Sequence, residues 1–577
     1  MFEKTNSKPN TLNRDIKVSR SSIMLTLIFL AIVLRVYNAF NYEVNWDEFY
    51  YLSFVHQFLA GESISSFQTF HVHFFTWLSW VSDNEVNQII VARNVMLCLQ
   101  IATGFFIFRI CRRHLGRSAS LFSVLAYFSF SFVIRMGASF RTDPIATFCL
   151  MASLDYLLKL EYSFKRTLIT ALLTAIAFLI TLKSVFYLPT IILISLLSIV
   201  QSSQKRRTTI ILSRYFILVT LLFLSLYFWH SQSITSTTEN DAISMLSGAN
   251  KTLNHNLFFP RANYFIYTLG TDLGFWFTLV CGVYFCLSST IKNNNIEIKL
   301  DYLKLMTLIL PLLSILIYRN AFPYFYSFIL APSAIYFGLA WEVWNQRKTR
   351  KRYMRISRGV VFLFVFNLIF QSIYLKYSRN LDYQHHFINV VHKIFPEPVA
   401  YIDRCSMISS YPQKGFFMSS WGMDNYLIAG QPILKLAIED HEPKFLIVNS
   451  EYLEFIHSES SVESIYLALL EEDRKAIKNN YISHWNELYV AGKELLLTQE
   501  DNSVTFNLNI SGNYTLESDS KVIINNKVIH PQEIVALSKG KHTIKISEDT
   551  GTYTLRWGEN LYRPKENNRE SRMFSGF

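Results

Sequence analysis

The chain has 577 residues, of which 51 % are hydrophobic and only 17 % charged, against about 25 % charged in a typical soluble domain. That balance excludes a disordered chain, a collagen-like repeat and a disulfide scaffold, and points to a polytopic membrane protein. The formal charge of +12 is dispersed as short basic clusters between apolar runs, the pattern of cytoplasmic membrane loops rather than of a nucleic-acid surface.

Residues 1–21 form a basic tail with Lys4, Lys8, Arg14, Lys17 and Arg20. A bilayer core needs about 20 apolar residues per helix. Runs of that kind lie near 22–40, 91–108, 118–134, 144–158, 167–182, 185–200, 209–229, 272–290, 302–317, 324–343 and 358–376. The stretch 167–200 is too long for one span and is divided at Lys183 and Pro189. The pattern predicts about eleven spans within a transmembrane body at 22–379. The first run carries Arg35 and Tyr37 where a signal peptide would carry small residues, so it reads as a retained anchor. Basic clusters at 109–117, 159–166, 205–214 and 347–358 fall on one side of such a body, the cytoplasm.

The first outer loop, 41–90, has no Lys or Arg and carries six acids. Within it, 64–81 places Phe67, Phe70, Phe74 and Trp77 at helical spacing and predicts an interfacial helix. An odd number of spans puts the polar tail outside. Residues 380–485 read as a small α/β segment. Residues 486–577 read as short alternating strands punctuated by Gly512, Gly540 and Gly551, an antiparallel β-sandwich. The six cysteines form no framework.

Several polar groups gather at the outer ends of the predicted spans. Asp47 and Glu48 adjoin in VNWDEFYYL. A low dielectric and mutual repulsion would raise one carboxyl pKa and suit it to proton transfer; two loop acids at headgroup level is the plainer reading. Arg141 and Asp143 follow the third run; Asp143 reads either as a helix N-cap before Pro144 or as a second acid facing Asp47. Lys183 interrupts an apolar stretch, where it either binds an anion or snorkels to the interface. Arg319 can bind phosphate in a bidentate manner or pair with an acid, and Tyr324 follows close behind it. His71 and His73, two residues apart, share a face only on an extended segment, so they assign no metal site by spacing. No Gly-rich phosphate loop, H-E-x-x-H or G-x-S-x-G sequence occurs.

The WDE at 46–48, FRTDP at 140–144, LKS around Lys183 and RNAFPY at 319–324, in that order, resemble the C-type membrane glycosyltransferases. Among these the sequence is most similar to the protein O-mannosyltransferases and the aminoarabinose-transferase-like enzymes. The resemblance runs over roughly 20–380. It implies transfer of a sugar from a polyprenyl-phosphate donor to a lipid, glycan or protein acceptor outside the cytoplasm. It implies Asp47 as general base, Glu48 and Asp143 in the catalytic site, and Lys183 and Arg319 on the lipid phosphate. Arg141, His71, His73 and Tyr324 are further substrate-binding candidates. Divalent-metal dependence stays open and no other cofactor is implied. The implied setting is a bacterial inner membrane, with the N-terminus cytoplasmic. The chain departs from the aminoarabinose enzymes in carrying His71-Val72-His73 where they have a Glu-Lys pair. A flippase for a lipid-linked sugar and a noncatalytic glycan-binding assembly protein are the competing functions.

Overall fold

A computed structural model describes residues 19–161, 163–234, 258–346, 351–377, 380–457, 469–498, 502–546, 550–565 and 573–575. The tail before Ser19 and the basic residues at 347–350 lie outside the described residues. Six helices among the described residues are long and apolar enough to cross a membrane. They are Arg20–Asn41, Glu85–Arg112, Leu182–Gln201, Lys205–Ser233, Leu273–Lys292 and Lys351–Ile394, the last described as Lys351–Tyr377 and Asn380–Ile394. A bent pair, Pro323–Ser333 and Ile335–Asn345, makes a seventh if it is one span. Two further apolar helices, Thr142–Leu158 and Phe164–Ile180, have 17 residues each, the short end of the spanning range.

The interruptions have local causes. Pro332 has no N–H for the Phe328 carbonyl, and the Tyr187 hydroxyl donates to that carbonyl instead, at 2.5 Å. The helix pair bends there by 51°. The predicted run at 118–134 also breaks, at extended Phe130, into helices Arg117–Ser129 and Ser131–Met136. The exposed helix ends are satisfied by side chains. Asp272 accepts from the Ser131 N–H at 2.8 Å and its hydroxyl at 2.5 Å, while Asn367 Nδ2 donates to Asp272 and to the Ser129 carbonyl. The predicted interfacial helix at 64–81 is two short pieces, Val72–Phe75 and a 3-10 turn at Thr76–Trp80, which follow Gln68 at a positive φ of 60° and part at Phe75, where φ is −128°.

The tail builds on one larger sheet in the order β1-β2-β4-β11-β6-β9, with β3 also on β4. These strands are β1 Tyr401–Ile402, β2 Phe445–Ile447, β3 Tyr481–Trp485, β4 Leu488–Leu497, β6 Gly512–Glu517, β9 Ile534–Leu537 and β11 Gly551–Trp557. A four-stranded sheet, β5-β10-β7-β8, faces it, from β5 Ser503–Leu508, β7 Val522–Ile524, β8 Lys527–Ile529 and β10 Gly540–Ile546. Leu497, Tyr514 and Leu555 of the first sheet share a core with Phe506, Ile524 and Ile544 of the second, the packing of a β-sandwich. The expected division at 485 falls between β3 and β4, which pair with each other, so the two expected units share a sheet. The membrane body and the inner part of the tail also share one apolar core, which runs from Phe49, Phe75 and Val86 to Phe387, Phe445 and Trp485.

Candidate active site

The helix Trp46–Leu59 begins with a capping box: Asn45 Oδ1 accepts from the Asp47 N–H at 3.0 Å, and Glu48 Oε1 accepts from the Asn45 N–H at 3.1 Å. Glu48 does more than cap. Arg93 grips both its oxygens, at 2.6 and 2.8 Å, and the Phe140 N–H donates to Oε2 at 2.7 Å. Arg93 donates also to the carbonyls of Tyr42 and Glu43, both at 2.7 Å. The pair therefore clamps the first outer loop, the Glu85–Arg112 helix and the 140–141 segment together.

That clamp brings Arg141 against Asp47. Four buried groups then form an alternating chain. Arg141 Nη1 pairs with Asp47, Arg141 Nε lies 3.3 Å from Asp143 Oδ2, and Lys183 Nζ lies 2.5 Å from Asp143 Oδ1. Asp143 is 1 % exposed and Asp47 9 %, so the four charges compensate one another in a low dielectric. Asp143 sits in the first turn of the Thr142–Leu158 helix with Arg141 as the N-cap residue, so the expected Asp143 N-cap is displaced by two positions. Lys183 lies on the 3-10 turn Leu182–Tyr187 between two apolar helices, at the break its sequence predicts. The Tyr324 ring lies under both cations, 3.5 Å from the Arg141 guanidinium carbon and 4.6 Å from Lys183 Nζ.

The other candidates lie elsewhere. Arg319 pairs with Asp424 of the tail helix Ser420–Ala429. His71 is buried; its Nε2–H donates to the Tyr51 carbonyl at 3.1 Å, and burial lowers its pKa to about 4, so it is neutral at pH 7. His73 pairs with His230 at 2.8 Å, a residue on the Lys205–Ser233 helix. Among the described residues, no group of three or more His, Cys, Asp or Glu side chains gathers as a metal site. Arg93 was not among the sequence candidates, although a charge within an apolar run is a signal that could have found it.

The tail covers this face. The Phe417 ring stacks on Tyr50 with centroids 4.1 Å apart, Arg404 lies 4.0 Å over the Trp46 ring, and Ser409 Oγ donates to the Phe49 carbonyl at 3.2 Å. The C-terminal segment returns as well: Phe574 packs edge-on against Trp46 and Phe49, and Ser575 donates to Glu43.

No protein-family model and no curated protein matches the chain. Solved structures do. The chain is similar to ArnT from Cupriavidus metallidurans bound to undecaprenyl phosphate, at 11 % identity and a TM-score of 0.52, over 77 % of this chain and 96 % of that one. It is also similar to the Archaeoglobus fulgidus oligosaccharyltransferase in complex with Zn and sulfate, at 9 % identity and a TM-score of 0.51, over 94 % of this chain and 98 % of that one. At these identities the likeness is one of backbone architecture. The chain has the fold of the C-type membrane glycosyltransferases.

Proposed function

We propose that this protein is a membrane glycosyltransferase that moves a sugar from a polyprenyl-phosphate donor to a lipid, glycan or protein acceptor outside the cytoplasm. The observation that carries the reading is the buried chain Asp47–Arg141–Asp143–Lys183. In this arrangement the two acids neutralise two cations that a phosphate could take over. The donor phosphate draws Arg141 and Lys183 to itself, and Asp47 is released as a base. Asp47 then accepts the proton of an acceptor hydroxyl. The acceptor oxygen bonds to the anomeric carbon as the carbon–oxygen bond to phosphate breaks, and the electron pair leaves with the polyprenyl phosphate. A single displacement of this kind inverts the anomeric centre. A base on the nucleophile and cations on the departing phosphate are what the reaction requires.

In this reading Glu48 is a positioning residue that acts through Arg93 and the Phe140 backbone. Tyr324 holds Arg141 and Lys183 in place until phosphate arrives. Arg319 reaches a phosphate only by exchanging Asp424 for it. Eleven spans, a cytoplasmic N-terminus and an outward tail in a bacterial inner membrane are the topology that fits it. ArnT, whose structure holds undecaprenyl phosphate, supports the donor class.

The test is Asp47→Asn. Transfer of radiolabelled sugar to envelope lipids, glycans or proteins in cells should be abolished, with expression and membrane insertion intact. Near-normal product from that variant would remove Asp47 as the base. Unchanged product with impaired lipid-linked sugar export would favour a flippase.

A further inference from the structure

The tail helix Ser420–Ala429 is apolar on two opposite sides. Met423 and Tyr426 face the tail core, where the Tyr426 hydroxyl donates to Asp473 at 2.5 Å. By helical spacing, Trp421, Asp424 and Ile428 form the opposite stripe. Asp424 is the one charge on this helix, and Arg319 of the membrane body pairs with it. The stripe is therefore turned towards the membrane body, yet Trp421 and Ile428 on either side of Asp424 are 42 % and 75 % exposed. Leu427 beside them is exposed as well. A helix that is apolar all round belongs in a core or in lipid, not in water. The next helix, Ile433–His441, shows the ordinary solvated pattern: Leu434 and Ile438 are buried, and Lys435, Glu439 and Asp440 supply a polar side.

What adjoins the bare stripe is an end of the apolar body. Arg319 stands two residues past Ile317, which closes the ninth apolar run and is 51 % exposed. Phe258 is exposed close by, since the next residue, Phe259, donates its N–H to the Leu316 carbonyl at 2.8 Å. The exposed apolar surface of the body thus reaches Arg319 and resumes beyond Asp424 at Trp421 and Ile428. The helix is held in that attitude at its start. Phe417, three residues before it, stacks on Tyr50, and Ser419 Oγ caps the first turn by accepting from the Gly422 N–H at 3.0 Å.

We infer that the Ser420–Ala429 helix docks on the bilayer surface, with Trp421 and Ile428 seated between the headgroups and upper acyl chains of the leaflet beside Arg319. Trp is the side chain that suits this level, with an apolar body and one polar N–H. Ten residues make a helix about 15 Å long, too short to span and suited to lying in the plane of the interface. The Arg319–Asp424 pair then lies at the boundary between water and lipid, where it fastens the tail to the body. The docking needs only a bilayer, so it stands whether or not the chain transfers sugar.

Quenching by spin-labelled lipid tests this in the full-length protein. Ile428→Cys and Trp421→Cys are made separately on a Cys98→Ser background, because Cys98 is exposed, and labelled with the environment-sensitive fluorophore NBD. Lys541→Cys, at an exposed position of the β-sandwich, is the comparison. Each is reconstituted in vesicles of phosphatidylethanolamine and phosphatidylglycerol, some carrying a nitroxide near the headgroup end of the acyl chain. The labels at 428 and 421 should emit at shorter wavelength and be quenched about twofold or more relative to 541, as seating at the headgroup–acyl boundary requires. Equal quenching at all three positions overturns the inference. So does a short-wavelength label at 428 and 421 that the nitroxide lipid leaves unquenched, which would place protein, from this chain or a second copy, on the stripe.

Discussion

Asp47 and Glu48 are neighbours in the chain with opposite surroundings. Glu48 accepts four hydrogen bonds and neutralises Arg93. Glu48→Gln leaves Arg93 buried without its counter-ion, a loss of about 3–5 kcal/mol. A thermal-shift assay on the purified protein should show the larger drop in Tm for Glu48→Gln and a smaller one for Asp47→Asn, which leaves Arg141 with Asp143 as a partner. The reverse order would mean that the clamp is not structural. The Lys183–Asp143 pair calls for a different design. Lys183→Met alone leaves Asp143 with only Arg141 and the buried cluster with an excess negative charge, and should destabilise by less than the about 3–5 kcal/mol of a fully unpaired charge, whereas Asp143→Asn/Lys183→Met removes one charge of each sign and should recover most of the Tm. Transfer activity should stay lost in both. Recovered activity in the double variant would show that the charges serve folding only.

Helices of the membrane body meet at positions where a side chain larger than hydrogen does not fit. Gly282 in Leu273–Lys292 is the sharpest case: a Cβ there would come within 2.0 Å of the Tyr336 carbonyl oxygen on the bent pair. Gly282→Ala must push these two helices apart and should destabilise by about 1–3 kcal/mol. Denaturation monitored by circular dichroism reads this, and an unchanged transition would contradict the close approach. At this scale the sequence was informative where the signal is local. Lys183 and Pro189 within an apolar stretch predict a break, and the chain breaks from 181 to 187. The split at Phe130 was not legible, because it depends on Asp272 and Asn367 arriving from other helices to satisfy the exposed ends.

The tail and the membrane body act as one structure because their cores are continuous. The tail carries a pH-sensitive group beside that shared core. His484 on β3 donates through Nε2 to the Tyr562 carbonyl at 3.1 Å, and its Nδ1 is buried without a partner among the described residues. Burial, with Arg556 and Arg563 nearby, lowers its pKa from 6.5 to about 4. A depressed histidine favours the neutral folded form. Its contribution is therefore present above pH 6.5 and is lost as the pH falls towards 4. The neighbouring Trp485 stacks on Phe387 of the Asn380–Ile394 helix at 5.4 Å and reports the seam. Its fluorescence in the full chain should show an unfolding midpoint that declines through this window, and His484→Gln should flatten the decline. An unchanged pH dependence in that variant would assign the effect to other groups.

Helical apolar runs, basic clusters between them, a strand-rich polar tail and isolated charges at run ends are local patterns, so the sequence alone determined them. They sufficed for a helical membrane body with a strand-rich tail and for placing Asp47, Arg141, Asp143 and Lys183 as candidates. Their roles relative to one another were not local. Asp47 meets Arg141 across 94 positions and Glu48 meets Arg93 across 45. Which acid Arg93 clamps and which one pairs with Arg141 depends on helix packing. The same holds for the tail, whose Arg404, Phe417 and Phe574 cover the site from more than 350 residues away in sequence. Only the tertiary structure decided these contacts, because buried charges and rings take the partners that packing brings to them, not those that adjoin them in the chain.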